Sequence, residues 1–294
     1  MIALVTTKGE TSLAQAAHDP SAPVTTDPAI IDTAYPPSTA ELAFPSHGSR
    51  LNGFMYLAQG KGPHPTVVLL HGFPGNERNL DLAQAFRRAG MNVLFFSYRG
   101  AWGSGGTFSF ANALEDVRSA IEYVRADSSV AAFRSDPAQV ILIGHSMGGW
   151  LTLMQAAADS SIECAAVLDF WNVGHDGQRM QRERAVDSSE TAYNTWVTAP
   201  GGPIHADGKA LSAEMKRHAE TWDPIRLAPG LARHSLLIIS TNANDSHKKL
   251  VAALRAAGAP RVTALQWKTD HSFSDRRIHL ARTMVDWLRE RCSR

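Results

Sequence analysis

The sequence between residues 140 and 149 is Val140-Ile141-Leu142-Ile143-Gly144-His145-Ser146-Met147-Gly148-Gly149, and a helix-like segment follows it. The branched apolar run at its start is typical of a strand buried on both faces of a sheet. Gly144 and Gly148 flank Ser146, and their missing side chains let a helix pack closely against a strand while the serine takes a strained backbone angle. The stretch therefore predicts a strand, a sharp turn and a helix, with the serine hydroxyl at the carboxyl edge of the sheet.

The alternation of strand and helix continues along most of the chain. Apolar runs predict further buried strands at Thr66 to Leu70, Asn92 to Ser97, Ile162 to Leu168, Ser235 to Ser240 and Val262 to Trp267. Helical spacing is found at Asn79 to Ala89, Ala111 to Ala126, His247 to Ala257 and Asp275 to Arg289. Residues 41–44 and 51–57 are expected to form an antiparallel hairpin at the sheet edge. Strand-then-helix units with right-handed crossovers predict an α/β fold, a mostly parallel sheet with helices on both faces.

Three motifs of the chain resemble the α/β-hydrolase superfamily and occur in its order. They are Gly144-His145-Ser146-Met147-Gly148, the upstream His71-Gly72-Phe73-Pro74-Gly75 and the downstream Asp270-His271-Ser272-Phe273. The resemblance covers about residues 40–290 and points to the prolyl-oligopeptidase-like and esterase-like branches. It implies an eight-stranded, mostly parallel sheet with helices on both faces and a small helical lid.

The chain divides into three parts by composition. Residues 1–40 are rich in Thr, Ser, Ala and Pro without a steady period, which predicts an extended N-terminal arm. Residues 41–170 and 224–294 form the expected hydrolase core. The polar, irregular stretch 171–223 lies where members of the superfamily insert a lid. An arm of this length is too short for the propeller that prolyl oligopeptidases carry, so a full oligopeptidase is not expected.

Ser146 is the candidate nucleophile and His271 the candidate base. A serine hydroxyl is a poor nucleophile at neutral pH, so it needs a base within hydrogen-bond reach and a third group that holds the base in the right tautomer. His271 follows the last strand, and its surroundings are similar to the DHxF signature of the superfamily. The alternative for the serine is an idle residue in a glycine-rich turn.

The acid of the triad is sought on the loop after the seventh strand, where the superfamily carries it. Asp245 is the only carboxylate between Ser240 and Asp245 and is the chosen residue. A gapless register with the commonest family spacing puts Asn244 at that place, but an asparagine cannot stabilise an imidazolium as a carboxylate does. Asp169, after the sixth strand, is the reserve candidate, and Asp270 is expected to serve its own loop.

Two backbone N–H groups are expected to form the oxyanion hole. One belongs to Met147, the residue after the nucleophile, at the start of a helix where the helix dipole favours negative charge. The other belongs to Phe73, because Pro74 has no N–H. Trp171 is the candidate for lining a substrate pocket. The other aromatic residues of this region, Phe170, Trp196 and Trp222, are expected to attach a lid to its base.

Charge and cysteine content limit the partners. The formal net charge of +1 gives no reason to expect nucleic acid or an anionic membrane, so the predicted partner is a small neutral molecule. No stretch is long enough for a transmembrane helix.

The two cysteines do not suggest a disulfide framework, and Cys164 is expected to be a small core residue. The lack of a full signal peptide favours a cytoplasmic protein, unless the start is the remnant of a longer exported precursor. The oligomeric state stays open.

These features predict a serine hydrolase, a carboxylesterase that cleaves small or medium esters through an acyl-enzyme and needs no metal or organic cofactor. An amidase or small peptidase would use the same triad and is the alternative. A binding protein on a hydrolase scaffold is the third possibility, and the intact Ser146, His271 and flanking glycines argue against it.

Overall fold

The computed structural model describes residues 22–183, 197–242 and 244–292. The strands are β1 Ser38–Ser46, β2 Ser49–Leu57, β3 His64–Leu70, β4 Asn92–Phe96, β5 Ser135–His145, β6 Cys164–Leu168, β7 Ser235–Thr241 and β8 Val262–Trp267. They form one eight-stranded sheet in the order β1-β2-β4-β3-β5-β6-β7-β8. β1 pairs with β2 and β2 with β4 in antiparallel fashion, and the other pairs are parallel. The predicted mostly parallel sheet and its edge hairpin are confirmed.

Helices connect the strands. They are α1 Ala22–Thr25, α2 Leu80–Arg88, α3 Phe110–Arg125, α4 Asp127–Phe133, α5 Met147–Ala158, α6 Val173–Glu183, α7 Gly208–Arg217, α8 Ala228–Leu231, α9 Asp245–Ala256 and α10 Arg277–Arg291, with a 3-10 turn at Pro224–Leu227. The sequence also predicts helix-like pieces at residues 188–197 and 210–221 of the lid region; the first lies outside the described residues except for residue 197, and α7 overlaps the second.

The hydrophobic core lies on both faces of the sheet, as the apolar run in β5 predicts. Alternate residues of a strand point to opposite faces. Leu142 accordingly belongs to the cluster that α3, α5 and α9 cover, whereas Ile141 and Ile143 belong to the cluster that α2 and α10 cover. Burial on both faces explains why the residues from Val140 to Ile143 are apolar in succession and not at alternate positions.

The glycines beside Ser146 allow α5 to approach the sheet. A Cβ atom added to Gly148 would lie 2.1 Å from the Leu70 carbonyl oxygen of β3, and one added to Gly144 would lie 2.0 Å from the Gly148 carbonyl oxygen. Real Cβ atoms do not come this close to another atom, so both positions require glycine. The tight strand-turn-helix that the sequence predicts follows from these two contacts.

The segment 171–223 contains α6 and α7, which contact each other closely. A Cβ added to Gly177 of α6 would lie 2.2 Å from the Met215 carbonyl oxygen of α7. The Glu214 carboxylate accepts from the N–H groups of Phe110 (2.9 Å) and Ala111 (3.1 Å), which ties α7 to the first turn of α3. A lid over the core would need hydrogen bonds of this kind between α7 and α3. The division of the chain into arm, core and lid stays a prediction.

A disulfide joins Cys164 in β6 to Cys292 at the end of α10. The two Cα atoms are 5.8 Å apart, and the cysteines are separated by 128 positions in the sequence. The two cysteines do not suggest a disulfide framework in the sequence, and this single cross-link is not predicted from it. Cys164 is a buried core residue, as expected, with 3% of its surface exposed, but it is also one end of this cross-link. Within the described residues, no helix is long and apolar enough to cross a bilayer.

Candidate active site

Ser146 lies at the turn between β5 and α5, with φ 57° and ψ −119°. Such angles are unusual for a residue with a side chain and cost about 1–3 kcal/mol. The turn is held on two sides, because the Ser146 N–H donates to the Leu168 carbonyl (2.9 Å) and the Ser146 carbonyl accepts from the Trp171 N–H (3.0 Å). The ends of β5 and β6 thus fix the serine at the carboxyl edge of the sheet.

His271 lies on the loop between β8 and α10, and its partner is Asp169, the residue directly after β6. Nδ1 of His271 is 2.6 Å from Oδ2 of Asp169. An ionised carboxylate only accepts hydrogen bonds, so Nδ1 carries the proton and Nε2 of the neutral ring is left as a proton acceptor. The Asp169 side chain is 7% exposed and the His271 side chain 53% exposed. The carboxylate is thus buried while the imidazole is open to the cavity.

Asp169 is kept ionised by its hydrogen bonds. Burial by itself would raise the pKa of this carboxyl, but the bonds from His271, from Thr241 and from Asn244 outweigh it and lower the pKa below the ordinary value of 3.8. Oδ1 accepts from the Thr241 N–H (3.0 Å), the Thr241 hydroxyl (3.1 Å) and the Asn244 amide (3.2 Å). A negative charge is therefore present beside the imidazole at neutral pH.

Asp245 does not contact His271 in the structure. It is the first residue of α9, its side chain is 71% exposed, and its Oδ2 lies 3.0 Å from Nζ of Lys249. That hydrogen bond lowers the pKa of Asp245. The choice of Asp245 as the partner of His271 is corrected on this geometry in favour of Asp169, the reserve candidate, because the Asp245 carboxylate is paired with Lys249 and the carboxylate at Nδ1 of His271 is that of Asp169.

Thr241 and Asn244 were not assigned a role by sequence reasoning. The register argument did place Asn244 at the position of the family acid, and this was the only signal. In the structure, its amide donates to Asp169 Oδ1 and to the Phe170 carbonyl (2.9 Å), while its own oxygen accepts from the His247 N–H (3.1 Å). Asn244 therefore holds the carboxylate that contacts His271, and it does so from the position at which the sequence predicts the acid.

The loop of residues 71–75, named the oxyanion loop after its predicted role, lies directly against Ser146. A Cβ added to Gly72 would be 2.9 Å from the Ser146 Cβ and 3.4 Å from its Oγ. Phe73, the next residue, therefore follows a backbone position in contact with the serine. Met147 is the first residue of α5, where backbone N–H groups lack partners inside the helix. Met147 thus directly follows the serine in the chain, and Phe73 directly follows Gly72, whose backbone lies against the serine.

Several hydrogen bonds hold the oxyanion loop. Trp102 Nε1 donates to the Pro74 carbonyl (2.7 Å), and the Tyr98 hydroxyl donates to the His71 carbonyl (3.0 Å). Nδ1 of His71 is 2.7 Å from the Gly72 carbonyl oxygen and donates to it. Complete burial lowers the pKa of His71 from 6.5 to about 4, and the bond to Gly72 opposes this only in part. His71 is therefore neutral at physiological pH.

A cavity of about 470 Å³ opens at this edge of the sheet, and Ser146, Asp169, Trp171 and His271 all line it. The Trp171 indole is fixed by a hydrogen bond from Nε1 to Oδ2 of Asp176 (2.7 Å). Asp245 lies at the same cavity without touching the base. The structure thus brings the serine, the histidine and the predicted pocket tryptophan to one surface.

The other aromatic residues of the lid region are buried where the structure describes them. Phe170 is 1% exposed, and Trp222 packs against Trp150 and Phe110 in the core. Trp196 lies outside the described residues. Among the described residues, no group of three or more His, Cys, Asp and Glu side chains is arranged to hold a metal ion.

The chain is similar in sequence to curated proteins over part of its length. The chain is 36% identical over 194 residues to the uncharacterized protein YfhR of Escherichia coli K12, a match that covers 64% of this chain and 60% of that protein. It is 30% identical over 193 residues to the YfhR of Salmonella typhi, with 64% of this chain and 61% of that protein covered. The match therefore spans less than two thirds of the length of either relative.

Solved structures with a similar fold include esterases. The Pyrococcus furiosus esterase Pf2001 superposes with a TM-score of 0.65 at 15% identity, over 91% of this chain and 98% of that one. EstE1, a carboxylesterase from a metagenomic library, gives a TM-score of 0.63 at 16% identity, over 88% of this chain and 91% of that one. At these identities the likeness concerns the fold.

The profile of the alpha/beta hydrolase family matches residues 67–289, which include the oxyanion loop, the serine turn and the His271 loop. The same stretch contains the parallel strands of the sheet, beginning at residue 67 within β3, and both His271 and Asp169. This chain belongs to the alpha/beta hydrolase family.

Proposed function

We propose that the protein is a serine hydrolase that cleaves carboxylic esters of small or medium size through an acyl-enzyme. The observation that carries the proposal is the 2.6 Å hydrogen bond between His271 and the buried Asp169 beside a cavity that Ser146 also lines. A serine at a strained turn, an imidazole with a free Nε2 and a buried carboxylate are the groups that acyl transfer requires.

In the first half-reaction, Oγ of Ser146 attacks the ester carbonyl carbon while Nε2 of His271 takes the hydroxyl proton. The carbonyl electron pair moves to oxygen, where the N–H groups of Met147 and Phe73 donate to the negative charge. Asp169 stabilises the imidazolium that forms. When the tetrahedral intermediate collapses, the bond to the alcohol oxygen breaks, and the alcohol leaves with the proton from Nε2.

In the second half-reaction, a water molecule attacks the acyl group on Ser146. His271 takes one proton of the water and returns it to Oγ as the acid is released, which restores the starting state. Each oxyanion donor is worth about 2.7–4 kcal/mol of barrier in enzymes of this type. The two backbone donors are therefore expected to matter as much for rate as the base.

Small or medium esters fit the site best. A cavity of about 470 Å³ lies in the lower part of the usual range for small-molecule sites. The esterases of similar fold support ester substrates over other acyl compounds. Trp171 supplies an aromatic wall that is fixed by its bond to Asp176, and it is proposed to contact the acyl or alcohol group of the substrate.

The test is hydrolysis of p-nitrophenyl esters from acetate to long acyl chains by the unmutated protein, Ser146→Ala and Ser161→Ala. Ser161 precedes β6 at the opposite edge of the sheet and is exposed, so its variant is a matched control that is expected to keep full activity. Loss of activity in Ser146→Ala alone, with an optimum at short or medium chains, supports the proposal. An unmutated protein inactive on every ester refutes it, and matched anilides then test the amidase alternative.

The disulfide supports an oxidising compartment as the place of action. Thiols of cytoplasmic proteins are kept reduced, whereas disulfides persist in exported proteins. This proposal differs from the cytoplasmic location that the sequence favours. Alkylation of thiols during lysis tests it, because Cys164 and Cys292 should be protected in protein that is exported and modified in protein that is retained in the cytoplasm. Equal protection in both preparations would contradict the proposal.

A further inference from the structure

His145 is a buried histidine between the serine turn and the loop that carries the base. It is 4% exposed, and its Nε2 lies 2.8 Å from the main-chain oxygen of His271. The two imidazole rings are 4.6 Å apart between centroids and tilted by 40°. The last residue of β5 thus touches the backbone of His271, while the next residue in the chain is Ser146.

The hydrogen bond fixes the protonation state of His145. A carbonyl oxygen only accepts, so Nε2 of His145 carries a proton and donates it. Nδ1 is buried and has no hydrogen-bond partner among the described residues. Burial, with a further contribution from the nearby His271, lowers the pKa of His145 from 6.5 to about 4. The ring is therefore a neutral donor, and it is not a second base because its only proton-accepting nitrogen is enclosed.

The His271 side chain depends on hydrogen bonds for its orientation. It is 53% exposed, so packing against neighbours restrains little of it. The Asp169 bond holds Nδ1, and the His145 bond holds the main chain of the same residue. Phe273, two residues later, is completely buried and anchors the other side of the loop. These contacts fix both ends of the short stretch that carries the base.

We infer that His145 is a positioning residue, which sets the distance between His271 and Ser146 by linking the main chain of the base to the strand that ends at the nucleophile. This role rests on the proposed function insofar as it concerns turnover. The position of the ring against Asp169 is a separate structural consequence and can be measured without a substrate.

The test uses three variants. His145→Met puts an apolar side chain of similar length in place of the imidazole and removes the donor. His145→Gln keeps an N–H at the reach of Nε2. His234→Met is the matched control: His234 is 1% exposed and its Nδ1 donates to the Ile162 carbonyl, but it lies just before β7, at the sheet edge opposite the site.

The first measurement is the downfield proton resonance of the Nδ1–H bond between His271 and Asp169, compared at a temperature at which all variants are folded. We expect the resonance to shift or broaden in His145→Met and to be retained in His145→Gln and His234→Met. An unchanged resonance in His145→Met, or an equal loss in His145→Gln, overturns the inference whether or not the protein hydrolyses esters.

The second measurement is ester hydrolysis. Because a displacement of about 1 Å costs about 10²-fold in rate, kcat of His145→Met should fall by about 10- to 100-fold with KM nearly unchanged, and His145→Gln should recover most of the loss. A kcat of His145→Met equal to that of His234→Met contradicts the positioning role. If the unmutated protein has no esterase activity, the proposed function fails, and the resonance alone decides the inference.

Discussion

Replacing Asp169 by Asn tests which acid serves His271. The asparagine oxygen would still accept from Thr241 and Asn244, whose donors lie 3.0–3.2 Å from Oδ1 of Asp169. Its NH₂ group would then face Nδ1 of His271 across the present 2.6 Å contact. Two donors cannot share that contact, so the ring would move its proton to Nε2. Nε2 is the atom that must receive the proton of the serine.

The magnitude follows from this change of tautomer. An asparagine in place of the acid of a Ser-His-Asp triad lowers kcat by about 10⁴-fold, which corresponds to about 5.5 kcal/mol of activation free energy. Asp169→Asn should approach this value. Asp245→Asn is the paired variant, and it should keep kcat within about twofold because surface substitutions of this kind change little; its carboxylate is 71% exposed and pairs with Lys249.

The assay is the kcat of both variants on the best p-nitrophenyl ester. Thermal unfolding is followed in parallel, so that loss of fold is not mistaken for loss of catalysis. The reasoning is refuted if folded Asp169→Asn keeps more than a tenth of the activity. It is equally refuted if Asp245→Asn is the variant that loses activity, because the loop after β7 would then provide the acid after all.

Three further outcomes are expected. Burial lowers the pKa values of His71 and His145 from 6.5 to about 4. The free energy of unfolding should therefore be highest above pH 6.5 and fall by about 3 kcal/mol for each histidine as the pH drops to 4. Urea titrations that show no such fall, or the opposite sign, would contradict this. Cys292→Ala removes the Cys164–Cys292 bond and should lower the free energy of unfolding by about 2–5 kcal/mol while kcat at 25 °C is unchanged. An unaltered urea midpoint would argue against the cross-link. Trp102→Phe removes the hydrogen bond to the oxyanion loop and should lower kcat by up to about 10²-fold with KM little affected. An unchanged kcat would show that the loop keeps its conformation without this hydrogen bond.

Much of the fold could be predicted from the sequence because its determinants are local. A strand buried on both faces needs apolar residues in succession, and the residues from Val140 to Ile143 form such a run. The turn after it needs glycines where α5 meets β3, and Gly144 and Gly148 are visible in the sequence itself. Strand, turn and helix were therefore placed correctly by short-range patterns alone.

The carboxylate that contacts His271 could not be identified from the sequence for a non-local reason. β6 and β7 are parallel neighbours, so the residues after both strands reach the same edge of the sheet. Asp169 and Asp245 are both close to that edge, and both line the cavity. Their spacing in the sequence does not tell which carboxylate points at His271, because that depends on side-chain direction. The Asp169 backbone, at φ 40°, directs its carboxylate to the histidine, whereas Asp245 begins a helix.

The disulfide was missed because it depends on the whole fold. Cys164 and Cys292 are 128 positions apart, and they meet only because α10 packs across the face of the sheet and ends beside β6. Two cysteines in a chain of 294 residues do not form a recognisable spacing pattern. Only the packing of the last helix brings the two Cα atoms within 5.8 Å.

The amide at Asn244 is explained by the position of the acid. Its Nδ2 lies 3.2 Å from Oδ1 of Asp169, so an aspartate at 244 would place two carboxylates in contact. Like charges at that distance raise the pKa of one group strongly, and that group would then hold a proton. A protonated Asp169 would no longer stabilise the imidazolium of His271. Because Asp169, directly after β6, supplies the carboxylate that contacts His271, the residue at 244 on the loop after β7 must be a donor, and the amide meets this requirement while it also holds the Phe170 carbonyl. One negative charge beside one imidazole is preserved, and only the strand that supplies the charge differs from the expected arrangement.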